Sequence, residues 1–170
     1  KYYETLTKFF KKFENDTKLK VKISVHPKSR TKNLEQYLKD YETFKENTAE
    51  LVKNSAIVLL HCSTSISYAI LFNKPAIFLT SNELKKSWMG GKIAVFSNTI
   101  NGKIINMSNS LNSNLYTKDL LNFDKHKYQE YKDKYLKVPE SPDVPLWEII
   151  TQEIKKYTNK LNNSKQSSKN

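Results

Sequence analysis

The sequence predicts an α/β fold, a doubly wound parallel sheet forming a single Rossmann-like domain. Three observations carry that prediction. Helix-period and strand-period apolar patterns alternate along the chain. The central apolar runs, Ile57–Leu60 and Ala76–Leu79, have no polar face, as in parallel strands covered on both sides. At 170 residues the chain has the size of one domain with a real core.

Tyr2, Leu6, Phe9, Phe10 and Phe13 recur at helical spacing with lysines opposite, so residues 2–14 form a helix. Val21, Ile23 and Val25 then alternate with Lys22 and Ser24, the signature of a strand. That strand ends at His26, because Pro27 has no N–H for a ladder. Residues 28–46 are polar and read as a loop with a short helical turn. Asn47 and Glu50 fit a capping box that opens a short helix ending near Ser55. A buried strand over 56–61, a helix over 64–73 and a second strand over 75–80 follow.

From Glu83 the pattern suits a helix that Gly90 and Gly91 interrupt or end. "GKIINM", residues 102–107, is a last short strand. Residues 122–137 form a helix with acidic and basic side chains in register for i,i+4 pairs. The proline-rich segment 138–145 leads to a final helix that ends near Leu161. The domain therefore spans 1–161, and 162–170 is a disordered basic tail without apolar anchors. The chain opens at Lys1, inside a helical pattern and without Met, and reads as a piece of a longer protein.

Twenty-nine Lys+Arg against 17 Asp+Glu give a net charge of +12. The isoelectric point is near 9.6 and the mean hydropathy −0.68. This favours anionic partners: nucleic acid, anionic lipid or phosphorylated ligands. Arg30 is the only arginine, which argues against dedicated nucleic-acid recognition by guanidinium forks. Cys62 is the only cysteine, so no internal disulfide exists, and it reads as a small buried hydrophobe. His61 and Cys62 are adjacent and would point to opposite faces of a strand, a poor metal pair; no metal and no cofactor are expected.

In doubly wound sheets ligands bind beyond the carboxyl ends of the strands. Two features fall there: His26-Pro27-Lys28 after the first strand, and Ser63-Thr64-Ser65 where a buried strand hands over to a helix. Hydroxyls and N–H groups at a helix start attract phosphate, and His26 can donate to a phosphate oxygen. A plain N-cap accounts for one of the three hydroxyls, and a strand-end histidine bonded to a carbonyl accounts for His26. Both at one sheet edge make a site, provided their strands are neighbours. Glu50 has the capping-box role as its simplest use and ribose binding as the other. His61 fits a hydrogen-bonded core histidine and His126 a solvated one. Trp88, Met89, Gly90 and Gly91 suit an acceptor-facing bend or a packed helix end.

"SVHPKSR" (24–30) followed by "ENTAELVKNSAIVLLHCSTSISYAILFNKPAIFLTSNEL" (46–84) resembles the C-terminal domain of bacterial surface-carbohydrate biosynthesis proteins. That group looks like GT-B glycosyltransferases, related in pattern to sialyltransferases and capsule-synthesis enzymes. Its His-Pro and Ser-Ser/Thr motifs face the phosphate of the donor nucleotide, here matched by His26-Pro27 and, approximately, by Ser63-Thr64-Ser65. The resemblance covers residues 20–84 and implies the donor-nucleotide-binding half of a two-domain inverting transferase. It also implies that the N-terminal domain with the acceptor base lies outside this chain. The implied partners are a nucleotide sugar, as substrate rather than cofactor, and a glycan or lipid-linked acceptor. The expected location is cytoplasmic, with peripheral contact at an anionic inner-membrane surface. Two other functions fit parts of the sequence: half of a nucleotide-sugar epimerase, or a non-enzymatic basic module that binds nucleic acid or anionic membrane.

Overall fold

The structure, a computed structural model, describes residues 1–26, 35–116 and 118–167. Two compact units divide the chain, Lys1–Leu136 and Lys137–Asn170. The first is the α/β unit.

Its centre is β4 (Ala76–Thr80), in which every residue is buried. Alternate side chains serve two cores, as a period of two requires. Ala76 and Phe78 join a cluster with Val52, Leu60, Ile66, Ile70, Ile93 and Tyr128. Ile77 and Leu79 join another with Leu6, Phe9, Phe10, Phe13, Met107 and Leu120. Helices therefore cover both faces, the three-layer arrangement that continuous apolar strands demand. β3 (Val58–Leu60) and β5 (Lys103–Asn106) flank β4, both parallel to it, with Leu60 opposite Phe78 and Ile105 opposite Leu79.

One face is covered by α1 (Tyr2–Thr17), whose buried side chains are the predicted stripe Leu6, Phe9, Phe10 and Phe13. Lys18 closes that helix in the left-handed region, φ 62°, with its N–H on the Glu14 carbonyl. The other face carries α3 (Thr48–Lys53), α4 (Ile66–Leu71), α6 (Trp88–Thr99) and α7 (Lys125–Tyr131). Tyr128 pins α7 to the start of β4: its Oη accepts from Ala76 N at 3.1 Å and donates to the Lys74 carbonyl at 2.9 Å. Burial pushes the Tyr128 phenol up to about 12.

Several expectations are corrected. β1 (Lys22–Val25) does not share a ladder with β3 and β4 among the described residues; it pairs in parallel with β2 (Glu42–Lys45). The polar segment thus holds a strand, preceded by the expected helical turn, α2 (Glu35–Leu38). β2 is mostly exposed, so no apolar run announces it; cross-strand pairs hold it instead, with Lys22 bridging Glu42 at 3.1 Å and lying over the Phe44 ring. Ile23 still packs into the cluster that holds Leu59 and Leu79, so both ladders share a core.

The glycine pair does not end a helix. A short α5 (Asn82–Lys85) stops first, and α6 starts at Trp88, capped by Ser87, and runs through both glycines. Gly90 is there because a Cβ would sit 2.7 Å from the Lys85 carbonyl oxygen, a close approach between turns. After α7 the chain makes a π-helical turn (Lys132–Leu136). The second unit contains α8 (Leu146–Ser167), which continues six residues past the expected stop at Leu161. Residues 168–170 of the expected tail lie outside the described residues, as do Pro27 and Lys28 of the expected site.

Candidate functional site

All strand pairs are parallel, so the loops that leave the strands collect at one edge of each ladder. α3 starts beyond β2 and α4 beyond β3, so both helices open at those carboxyl ends, where open α/β sheets hold ligands.

At the end of β3, Ser63, Thr64 and Ser65 form a turn that leads into α4. Ser63 Oγ accepts from Ser65 N at 3.2 Å and donates to Ser65 Oγ at 3.1 Å. The Ser63 carbonyl accepts from Ile66 N at 3.1 Å. Ser65 occupies the cap position, yet its side chain makes no capping bond. Bonds within the turn therefore account for the Ser63 hydroxyl, while Thr64 is exposed. The N–H groups of Ser65 and Ile66 are already bonded to Ser63, and α4 has only six residues. An anion here would be held by hydroxyls more than by a helix terminus.

On the other ladder, His26 follows Val25 directly and is exposed. Two residues earlier, Ser24 Oγ lies 2.5 Å from Thr48 Oγ1, which joins the end of β1 to the first residue of α3. Glu50 is in that first turn and is exposed. The expected capping box is not closed, since Asn47 makes no side-chain capping bond. The fold thus brings the end of β1 to the start of α3. Strand pairing does not bring β1 beside β3, because their ladders are separate among the described residues.

His61 is bonded at both ring nitrogens. Nδ1 lies 2.6 Å from the Leu79 carbonyl and Nε2 2.5 Å from Tyr2 Oη. The carbonyl can only accept, so Nδ1 carries the hydrogen and Nε2 accepts from the phenol. Burial holds the imidazole below its usual value and pushes the Tyr2 phenol up to about 12. His61 is the hydrogen-bonded core histidine the sequence suggested. His126 is exposed beside Glu130 at 3.1 Å. Cys62 is a free cysteine packed at the margin of the core.

The structure adds polar groups that the sequence did not single out. Asn106 Nδ2 donates to Asn82 Oδ1 at 2.8 Å, and Asn106 Oδ1 accepts from Ser108 N at 3.0 Å, which ties the ends of β4 and β5 together. Thr80, the last residue of β4, is 2% exposed, and its hydroxyl has no hydrogen-bond partner. The signal was present: "TSN" follows the apolar "AIFL", and "NMSN" follows "KII". One cavity, of about 190 Å³, lies instead at the amino ends of β4 and β5, lined by Ala76, Gly102, Lys103 and Tyr128. Its polar wall is internally paired, with Asn101 Nδ2 on Asp124 Oδ2 at 3.2 Å. Among the described residues, no group of three or more His, Cys, Asp or Glu is placed to hold a metal ion.

Comparison with protein-family models, curated proteins and solved structures gave no significant match.

Proposed function

We propose that this chain is the donor-nucleotide-binding half of a GT-B-like glycosyltransferase that builds bacterial surface polysaccharide or lipopolysaccharide from nucleotide sugars. The observation that carries the reading is the Ser63-Thr64-Ser65 turn. It stands at the carboxyl end of a parallel strand and presents hydroxyls that helix capping does not use up. The sequence resemblance over residues 20–84 supports the same assignment.

In this reading the hydroxyls of Ser63, Thr64 and Ser65 hold the donor phosphate, and His26, on a separate ladder whose Ile23 shares a core cluster with Leu59 of β3, donates to its leaving oxygen as the glycosyl bond breaks. Lys28, which follows His26-Pro27 in the sequence, adds positive charge, and Glu50 accepts from the ribose hydroxyls. These groups supply the charge stabilisation that the leaving phosphate needs. The acceptor, a glycan or lipid-linked glycan, is activated by a base on another domain, so this chain alone binds nucleotide and turns over poorly. The protein works at the cytoplasmic face of the inner membrane.

Calorimetric titration with CMP, UDP, GDP and ADP tests the assignment. Saturable binding of one of them, with the others weaker, supports it and names the donor family. Equal, weak and strongly salt-dependent binding of all four, lost on removal of residues 155–170, would support the basic-module reading instead.

A further inference from the structure

The second unit contains a helix with four exposed large apolar side chains and two half-buried ones, Ile149 and Ile150. In α8, Trp147 is 76% and Tyr157 67% exposed, and Leu146 and Ile154 are exposed as well. The spacing 147, 150, 154, 157 places Trp147, Ile150, Ile154 and Tyr157 along one stripe of the helix. A helix of 22 residues with such a stripe is completed by a surface that covers it.

Charge selects among the candidates for that surface. From Ile154 to Ser167, α8 holds Lys155, Lys156, Lys160 and Lys165 and no acid; the two acids of the helix, Glu148 and Glu153, come before, and Glu153 pairs with Lys156 at 2.7 Å, which leaves a net positive helix. Like charge opposes a second copy of the same helix, whereas an anionic surface complements it. The stripe carries one Trp and one Tyr, the side chains that settle at the boundary between headgroups and acyl chains. No helix among the described residues is long and apolar enough to cross a membrane, so the geometry suits a helix that lies on a bilayer rather than through it.

We propose that α8 docks in the plane of an anionic lipid surface, with Trp147, Ile150, Ile154 and Tyr157 inserted at the boundary and Lys155, Lys156 and Lys160 on the headgroups. The proposal is independent of nucleotide binding. It assigns the contact to a particular face of one helix, not to the surplus charge of the chain as a whole.

The test uses the full chain with Trp88→Phe, which leaves Trp147 as the only tryptophan. Vesicles of phosphatidylcholine with phosphatidylglycerol are compared with phosphatidylcholine alone. Anionic vesicles should shift Trp147 emission to the blue and sediment the protein; neutral vesicles should do so weakly. Ile154→Glu should weaken sedimentation with anionic vesicles at least about tenfold while circular dichroism stays unchanged. Replacing Lys155, Lys156 and Lys160 by Gln should reduce the difference between the two vesicle types. Trp147 emission that does not move on anionic vesicles, or sedimentation indifferent to Ile154→Glu, would overturn the proposal.

Discussion

Tyr2 Oη and His61 Nε2 are 2.5 Å apart although 59 residues separate them, and the bond ties the first turn of α1 to the end of β3. Because Nδ1 is committed to the Leu79 carbonyl, the arrangement suits a neutral imidazole.

The pH dependence of stability follows from that. Burial lowers the His61 pKa from 6.5, so between the folded and unfolded values the unfolded chain binds more protons. Stability should therefore fall as pH drops below 6.5. At the alkaline end, the Tyr2 phenol is raised from 10.0 to about 12, so stability should fall again as pH rises through that interval. Asp16, Glu83 and Asp124 have lowered values and act only in more acidic solution, below 4.5. Urea titrations across pH should show the separate acid step near neutrality, and His61→Gln should remove it. A wild-type profile flat from neutrality down to the carboxylate range would contradict this.

The two adjacent glycines of α6 should respond in opposite directions. A Cβ at Gly90 would meet the Lys85 carbonyl oxygen at 2.7 Å and the Leu84 carbonyl oxygen at 2.8 Å, and backbone cannot swing aside. A Cβ at Gly91 meets nothing within 4 Å. Gly90→Ala should therefore lower the melting temperature, while Gly91→Ala should raise stability by up to about 1 kcal/mol through helix propensity alone. Equal effects of the two substitutions would show that α5 and α6 do not approach as closely as described.

Two buried hydroxyls make a second opposed pair. Tyr128→Phe leaves Ala76 N–H and the Lys74 carbonyl without their partner and should cost about 1–3 kcal/mol. Thr80→Val replaces a buried hydroxyl that has no partner, so it should leave stability unchanged or increase it. Thermal denaturation of both variants reads the difference directly.

What the sequence revealed depended on how local the signal was. The α1 stripe, the apolar run of β4 and the alternation before His26 are visible because burial follows a fixed period within one element. β2 was hidden: "ETFK" is mostly exposed, and its partners lie 20 residues upstream in β1. Gly90 is ambiguous in the sequence because a glycine that allows close approach looks the same as one that ends a helix. The edge position of Ser63-Thr64-Ser65 follows from local order, strand then helix. Its distance from His26 depends on which strands pair, and no local pattern records that.

The proposed site makes the most direct prediction. The alternative to nucleotide binding is that the three hydroxyls only shape a turn, and the geometry separates the two accounts. As a turn element, Ser65 accepts from Ser63 Oγ and makes no capping bond, so Ser65→Ala should change stability little. As a phosphate ligand, Ser65 is a donor whose loss weakens binding by about 1–3 kcal/mol. His26 is exposed at a strand end, and the melting of His26→Ala reads any effect on the fold apart from binding. We expect each substitution to lower affinity for the preferred nucleotide at least about fivefold. His126→Ala should leave it unchanged, because His126 is on α7 beside Glu130. Calorimetry on the three variants, with melting followed in parallel, decides the matter. Unchanged affinity in both His26→Ala and Ser65→Ala would remove the phosphate from this edge and leave the hydroxyls to the turn.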